Sequence, residues 1–94
     1  MVSCQDIINK LTHSGAAFRA VGIADCVKFN IHSSDVIELL IDLKNDHVQL
    51  IGWTVSQCAV AALDVLCIEE YVGNDSTVLS LIQGFVQMRS KLDG

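Results

Sequence analysis

The alternation of apolar and polar residues predicts β-strands in the middle of the chain. Every second residue from Ile37 to Leu43 is apolar, whereas Glu38 falls on the opposite face. After a polar turn, residues 48–55 are predicted to return as the partner strand of a hairpin. A shorter alternation over residues 27–31 predicts a third strand. The pattern therefore indicates an antiparallel meander of three strands.

A period of 3.6 residues predicts helices on both sides of the meander. Ser3 is expected to cap a short helix through Leu11, Ser56 a helix to about Val72, and Ser76 a last helix. The order α-β-β-β-α-α predicts an α+β fold with helices packed on one face of an antiparallel sheet. We expect one domain over residues 1–94.

Composition and charge narrow the classes of function. The chain has 94 residues, of which 51% are hydrophobic and 18% charged, which is typical of an ordered domain. Its net charge of −5 and scattered basic residues argue against binding to nucleic acid or to an anionic membrane. No apolar run is long enough to span a bilayer, and the N-terminus lacks the features of a secretory signal. We therefore expect a cytoplasmic protein with four reduced cysteines.

Three short segments carry a resemblance to a known family. Ser33-Ser34-Asp35 precedes the predicted hairpin, Cys58 follows it near a helix start, and Gly73-Asn74-Asp75-Ser76 separates the last two predicted helices. This arrangement resembles the iron–sulfur cluster scaffold proteins of the IscU/NifU type over roughly residues 33–82. The resemblance implies a scaffold or carrier that receives sulfur from a cysteine desulfurase, works with other cluster-assembly proteins, and holds iron or a nascent cluster.

The family's metal ligands carry over only in part. Asp35 and Cys58 occupy positions of family ligands, whereas Ser33 stands where the family has its first cysteine. No residue corresponds to the family's third cysteine. A second register places Ala24-Asp25-Cys26 at the first loop, which would give Cys26 a role. His32, next to Ser33, is a further weak candidate because imidazole binds iron and zinc.

Cys58 is the strongest candidate for chemistry. With Ser56 as the N-cap, its thiol would lie in the first helical turn, where backbone N–H groups and the helix dipole stabilise a thiolate. A thiolate is the form that binds iron or zinc or accepts a persulfide. The alternative is a small buried thiol that packs the hairpin against the helix.

Three hypotheses follow for function. In the first, a homodimer supplies two Cys58 thiolates and two Asp35 carboxylates to one cluster; iron or zinc alone is possible, and the absence of any cofactor is equally compatible with the sequence. In the second, the chain is a degenerate scaffold-fold module that binds other proteins without metal. The third, ranked last, is a thiol enzyme in which Cys58 uses His13, His32 or His47 as base. We expect no enzymatic activity.

Overall fold

The chain folds as α-helices joined by short loops. The computed structural model describes the backbone of residues 3–93 and the side chains of residues 3–91. Within that range there are five α-helices and one 3₁₀ turn that continues the third helix: α1 (Cys4–Leu11), α2 (Ala16–Lys28), α3 (Ser34–Asp42) with its 3₁₀ turn (Leu43–Asn45), α4 (Val55–Val65) and α5 (Ser76–Asp93). The described residues contain no strand, only a single antiparallel bridge between Gln49 and Thr54.

The predicted α+β fold is therefore wrong, and the predicted meander does not exist. The segment predicted as the first hairpin strand is α3, in which Val36 and Leu40 are fully buried on the same face, one turn apart. Ser33, predicted in a loop, is the N-cap and accepts a hydrogen bond from the Val36 N–H at 3.4 Å. The segment supports both periodicities, and helix capping together with burial at the helical period decides between them.

The third predicted strand is also absent. Residues 27–31 contain the end of α2 and the turn that follows it, so their alternation is accidental. Asn30 adopts a positive φ of 53°, while the Ile31 N–H bonds to the Cys26 carbonyl and the Asn30 N–H to the Val27 carbonyl. This pair of bonds is a Schellman motif, which ends a helix at a left-handed residue.

The helix after the predicted hairpin is shorter than its apolar pattern indicates. It begins after Thr54, ends at Val65 and not near Val72, and closes with the same motif as α2. Cys67 takes the left-handed position with φ 61°, and the Ile68 N–H bonds to the Leu63 carbonyl. Here a cysteine occupies the position that glycine usually fills.

Two predicted helices are confirmed. Ser3 caps α1 by accepting a hydrogen bond from the Asp6 N–H, and Leu11 is the last helical residue. The last helix was predicted with Ser76 as its cap. It begins at Ser76 itself, and the Thr77 N–H donates to the Asp75 side chain.

The first four helices pack against one another in pairs. Helix α1 contacts α2 and α3, and α4 contacts α2 and α3. The last helix, α5, packs on α4 and α2. One hydrophobic core joins all five helices, and α4 lies at its centre with six buried residues. Among residues 3–93, no helix combines the length and apolarity needed to cross a bilayer.

Candidate functional site

Cys58, the strongest predicted ligand, is buried in the core. It is the fourth residue of α4, and its N–H already donates to the Thr54 carbonyl within the helix. The thiol is 2% exposed, and this burial raises its pKa to about 12. A protonated, buried thiol is the opposite of the activated thiolate that the position near a helix start predicted. The side chain acts as a small apolar core group.

Asp35 and Ser33 are helix-start residues of α3. Ser33 is the N-cap, and Asp35 lies exposed in the first turn, where a negative charge is favourable next to the helix N-terminus. Both residues therefore have an ordinary role in beginning a helix. Helix initiation accounts for the Ser-Ser-Asp sequence, so Ser33 need not be the replacement of a cysteine ligand.

His32 joins the ends of two helices. Its Nε2 lies 2.9 Å from the carbonyl oxygen of Leu66, the C-cap of α4. Its Nδ1 lies 3.1 Å from the Asn30 carbonyl oxygen. Both ring nitrogens therefore face backbone acceptors, and a metal would have to displace one of these contacts. His32 thus connects the segment after α2 to the C-terminal end of α4.

Cys26 is fully buried in α2. Burial, reinforced by the neighbouring Asp25 carboxylate, raises the pKa of its thiol to about 12. Among the described residues, no group of three or more His, Cys, Asp or Glu side chains is arranged to hold a metal ion. The candidate donors, two neutral buried thiols and one exposed carboxylate, do not fit an iron–sulfur cluster, which is held mainly by thiolates, or a zinc ion, which needs three or four converging donors.

The histidines proposed as bases for a thiol enzyme form no hydrogen bond to Cys58 among the described residues. His13 accepts a hydrogen bond from the Gly15 N–H at 2.8 Å and stacks on Phe18 with ring centroids 4.3 Å apart. His47 lies exposed in the loop before α4. A nucleophile needs a base within hydrogen-bond reach, and no histidine hydrogen bond reaches the Cys58 thiol in the described residues.

The most distinctive surface feature is a groove that the sequence analysis did not predict. Along α2 it is lined by one stripe of small apolar side chains, Ala17, Ala20, Val21 and Ala24. The opposite wall is a loop that contributes Leu50, Ile51 and Trp53. The cavity has a volume of about 420 Å³ and is open to solvent. We call it the α2 groove.

The loop wall of the α2 groove is a tight turn. The Leu50 N–H donates to the Trp53 carbonyl at 2.7 Å, and Gly52 adopts φ 87°, a left-handed conformation that favours glycine. Ile51 stands at the tip and is 99% exposed. Ile51 therefore extends the exposed apolar surface of the groove lining into the solvent.

The base of this loop is fixed to the helices. Asp46 accepts from the Val48 N–H and lies 2.8 Å from Arg19 Nε, a distance at which the two charges pair although the N–H is not directed at the oxygen. The Asp46 carbonyl also accepts from the Ser56 N–H at 2.7 Å. The Arg19 guanidinium in turn donates to the carbonyls of His13 and Ser14, at the end of α1.

No family model, curated protein sequence or solved structure matches the chain. The resemblance to IscU/NifU-type scaffolds therefore stays a prediction, and so do the cysteine desulfurase partner and the iron–sulfur cluster that it implies. Their structural basis was a strand hairpin between Asp35 and Cys58, and that segment contains α3 and a loop instead.

One sequence signal for the groove was available. Ala17, Val21, Ala24 and Lys28 recur at helical spacing and share one face of α2, whereas the buried face carries Ile23, Cys26 and Val27. A helix with apolar residues on two faces has one face to spare for a partner. The sequence analysis did not predict α2 as a helix, so this second apolar face was not identified.

Proposed function

We propose that this chain is a small helical module that binds another protein through the α2 groove. The observation that supports this most directly is Ile51, a fully exposed aliphatic side chain at the tip of an ordered turn that walls an apolar cavity. Val21 on the floor and Val48 at the base of the loop add exposed apolar surface nearby. Covering these side chains gains about 25 cal/mol for each Å² of apolar area removed from water.

The alternative of a working metal centre has no comparable support. The candidate thiols are protonated and buried, and the Asp35 carboxylate expected to join them lies exposed in the first turn of α3. This chain corresponds to the interaction module among the expected functions, carried on an all-helical fold and not on a scaffold-type sheet.

A reducing compartment suits the proposed module. All four described cysteines are free, and Cys4 and Cys67 are exposed. Exposed thiols are maintained where glutathione and thioredoxin keep them reduced. We therefore propose a cytoplasmic location for the protein.

The test uses the single tryptophan as a reporter. A display library of 15-residue peptides is selected on the wild-type protein, and the enriched peptides are titrated while Trp53 fluorescence is recorded. Because Trp53 lines the groove, we expect its emission to shift to shorter wavelength on binding. Ile51→Ser and Val21→Arg should weaken binding by about tenfold or more, the loss expected for removing an anchor residue.

The matched control is Val72→Ser. Val72 is 88% exposed and lies outside the groove, so this variant loses a similar exposed aliphatic side chain without changing the proposed site. Peptide binding should be unchanged. Failure to enrich any peptide, or enrichment of peptides that bind the groove variants as tightly as wild type, would contradict the proposed function.

A further inference from the structure

The face of α2 that lines the groove continues beyond the apolar cavity. Lys28 continues the α2 stripe one turn beyond Ala24, since residues 17, 21, 24 and 28 fall within about 60° of one another around the helix axis. There Lys28 lines a second cavity of about 360 Å³ together with four residues of α5, namely Gly84, Gln87, Met88 and Lys91. We call this the lysine end of the groove.

The lysine end has an excess of positive charge in an acidic protein. Lys10, Arg19 and Lys44 pair with Asp25, Asp46 and Glu69. Lys28 and Lys91 have no such pairing with any carboxylate among the described side chains. Helix α5 contributes no acidic residue between Asp75 and Asp93. Eleven acidic residues against six basic ones give the chain a net charge of −5, so this local excess of cations is contrary to the overall balance.

The dimensions and walls of the groove suit a helix as the occupant. From Ala17 to Lys28 the floor extends about 16 Å, the length of three helical turns. A partner strand would need an unpaired sheet edge, and residues 3–93 offer none. A proline-rich segment would need several aromatic side chains, whereas the groove is lined by one, Trp53.

We infer that the occupant is an amphipathic helix of another protein that carries apolar residues on one face and carboxylates in the terminal turn that meets Lys28 and Lys91. This inference rests on the proposed function and adds the chemistry of the partner. Apolar side chains three or four residues apart lie against Val21 and Ile51, and the carboxylates lie at the lysine end. Charge complementarity fixes the direction in which the helix docks.

A second copy of this chain is a less suitable occupant. Each copy carries a net charge of −5, so association of two copies is opposed by their overall charge. In a two-fold symmetric contact each copy would also offer its partner the same open groove. The lysine end would then face another groove, and not a carboxylate.

The experiment uses designed peptides and the full chain. Three 16-residue peptides share leucines at positions i, i+4 and i+7. One carries two glutamates in a terminal turn, the second carries two lysines there, and the third repeats the glutamate peptide with a central proline. Binding is followed by Trp53 fluorescence, and peptide helicity by circular dichroism.

We expect the glutamate peptide to bind about fivefold more tightly than the lysine peptide at 50 mM salt, since two exposed charge pairs contribute about 0.5 kcal/mol each. The preference should shrink at 0.5 M salt. The double variant K28E/K91E should reverse it, whereas V21R should abolish binding of both peptides. The proline peptide should not bind, because proline breaks the helix.

The outcomes separate the two proposals. The glutamate and lysine peptides could bind wild type equally, bind V21R more weakly and bind K28E/K91E as tightly as wild type. In that case the groove binds helices but the inferred charge preference is wrong. If no peptide binds wild type, the proposed function fails with it. If sedimentation equilibrium shows a dimer that Ile51→Ser dissociates, the groove is covered by a second copy and the inference is overturned. Circular dichroism of each variant confirms that it is folded.

Discussion

The side-chain amide of Gln57 connects the N-termini of two helices. Its Oε1 accepts from the Thr54 N–H at 2.8 Å and completes the capping box of α4, while its Nε2 donates to Asp75 Oδ2 at 3.0 Å. Asp75 in turn binds the Thr77 N–H at the start of α5. One amide thus satisfies a backbone donor of α4 and orients the carboxylate that begins α5.

Replacing Gln57 should loosen both helix starts. Gln57→Ala removes half of the capping box and one side-chain hydrogen bond, so we expect the free energy of unfolding to fall by about 1 kcal/mol, measured by urea denaturation. Gln57→Glu keeps the capping acceptor but places a carboxylate against Asp75. That variant should be less stable than wild type at pH 7 and should regain stability relative to it as the pH falls and the carboxyls protonate.

The wild-type protein has a related dependence on acid. Hydrogen bonds from the Gln57 amide and the Thr77 N–H hold the pKa of Asp75 below its ordinary value of 3.8. A lowered pKa stabilises the folded state above the unfolded pKa, and this contribution is lost as the pH falls through the folded pKa. In Gln57→Ala the pKa of Asp75, measured by NMR titration, should rise toward 3.8; an unchanged value would contradict the assigned contact.

Two glycines in helices should respond to alanine in opposite ways. A Cβ at Gly22 would lie 2.9 Å from the Lys10 Cβ and 3.1 Å from the Leu11 backbone nitrogen, because α1 and α2 approach closely there. Gly22→Ala should therefore destabilise the protein by about 2 kcal/mol. A Cβ at Gly84 meets nothing within 4 Å, so Gly84→Ala should stabilise α5 by about 0.8 kcal/mol. Equal effects in thermal unfolding would rule out the close contact between α1 and α2.

Cys67 should be replaceable by glycine with a gain in stability. Its φ of 61° costs a side-chain-bearing residue about 1 kcal/mol or more, and glycine adopts this conformation freely. We expect Cys67→Gly to raise the free energy of unfolding by about 1 kcal/mol. Cys67→Ala is the control, since it removes the thiol but keeps the Cβ; if it stabilised the protein equally, the backbone would not be the cause. Asn30→Gly should gain less because asparagine tolerates this conformation.

The four thiols should divide into two classes. At pH 8 a disulfide reagent should modify exposed Cys4 and Cys67 quickly, whereas Cys26 and Cys58 should react only as fast as the protein opens, because they are buried and protonated. Four equally fast thiols would contradict the buried positions. Cys4→Ser and Cys67→Ser, alone and combined, assign the fast phase.

The same burial predicts instability in alkali. Burial raises the pKa of each of these two thiols from the ordinary cysteine value of 9.0 to about 12. Below pH 9 both states keep the proton; above it the unfolded state loses the proton first, so stability falls between about pH 9 and pH 12. Cys58→Ala should make this decline less steep than in wild type, and an identical slope of stability against pH would show that the thiol ionises equally in both states.

The ends of the chain were predictable and the middle was not, for a physical reason. In α1 and α5 the 3.6-residue pattern competes with no other pattern, and Ser3 marks the start. Between Val36 and Leu43 the apolar residues satisfy periods of 2 and 3.6 equally well. The Thr54-x-x-Gln57 capping box was readable from sequence and would have placed the start of α4 correctly.

The candidate site depends on information that is not local. Cys58 lies close to a helix start, as predicted, but whether its thiol is activated or buried depends on the helices that pack around α4. The α2 groove likewise requires α2 to be a helix and the turn at Ile51 to lie beside it. The helical spacing along α2 marks its second apolar face, but the packing around Cys58 and the position of the turn beside α2 leave no periodic signal.

The anchoring of the turn at Ile51 has a consequence for the rate of binding. Asp46 is fixed by Arg19 and by backbone bonds, and the turn closes on itself through Leu50 and Trp53, so one wall of the groove is already in place before an occupant arrives. A pre-organised wall loses little conformational entropy on association. An occupant should therefore bind in one kinetic phase whose rate rises linearly with its concentration, without a slow rearrangement of this protein.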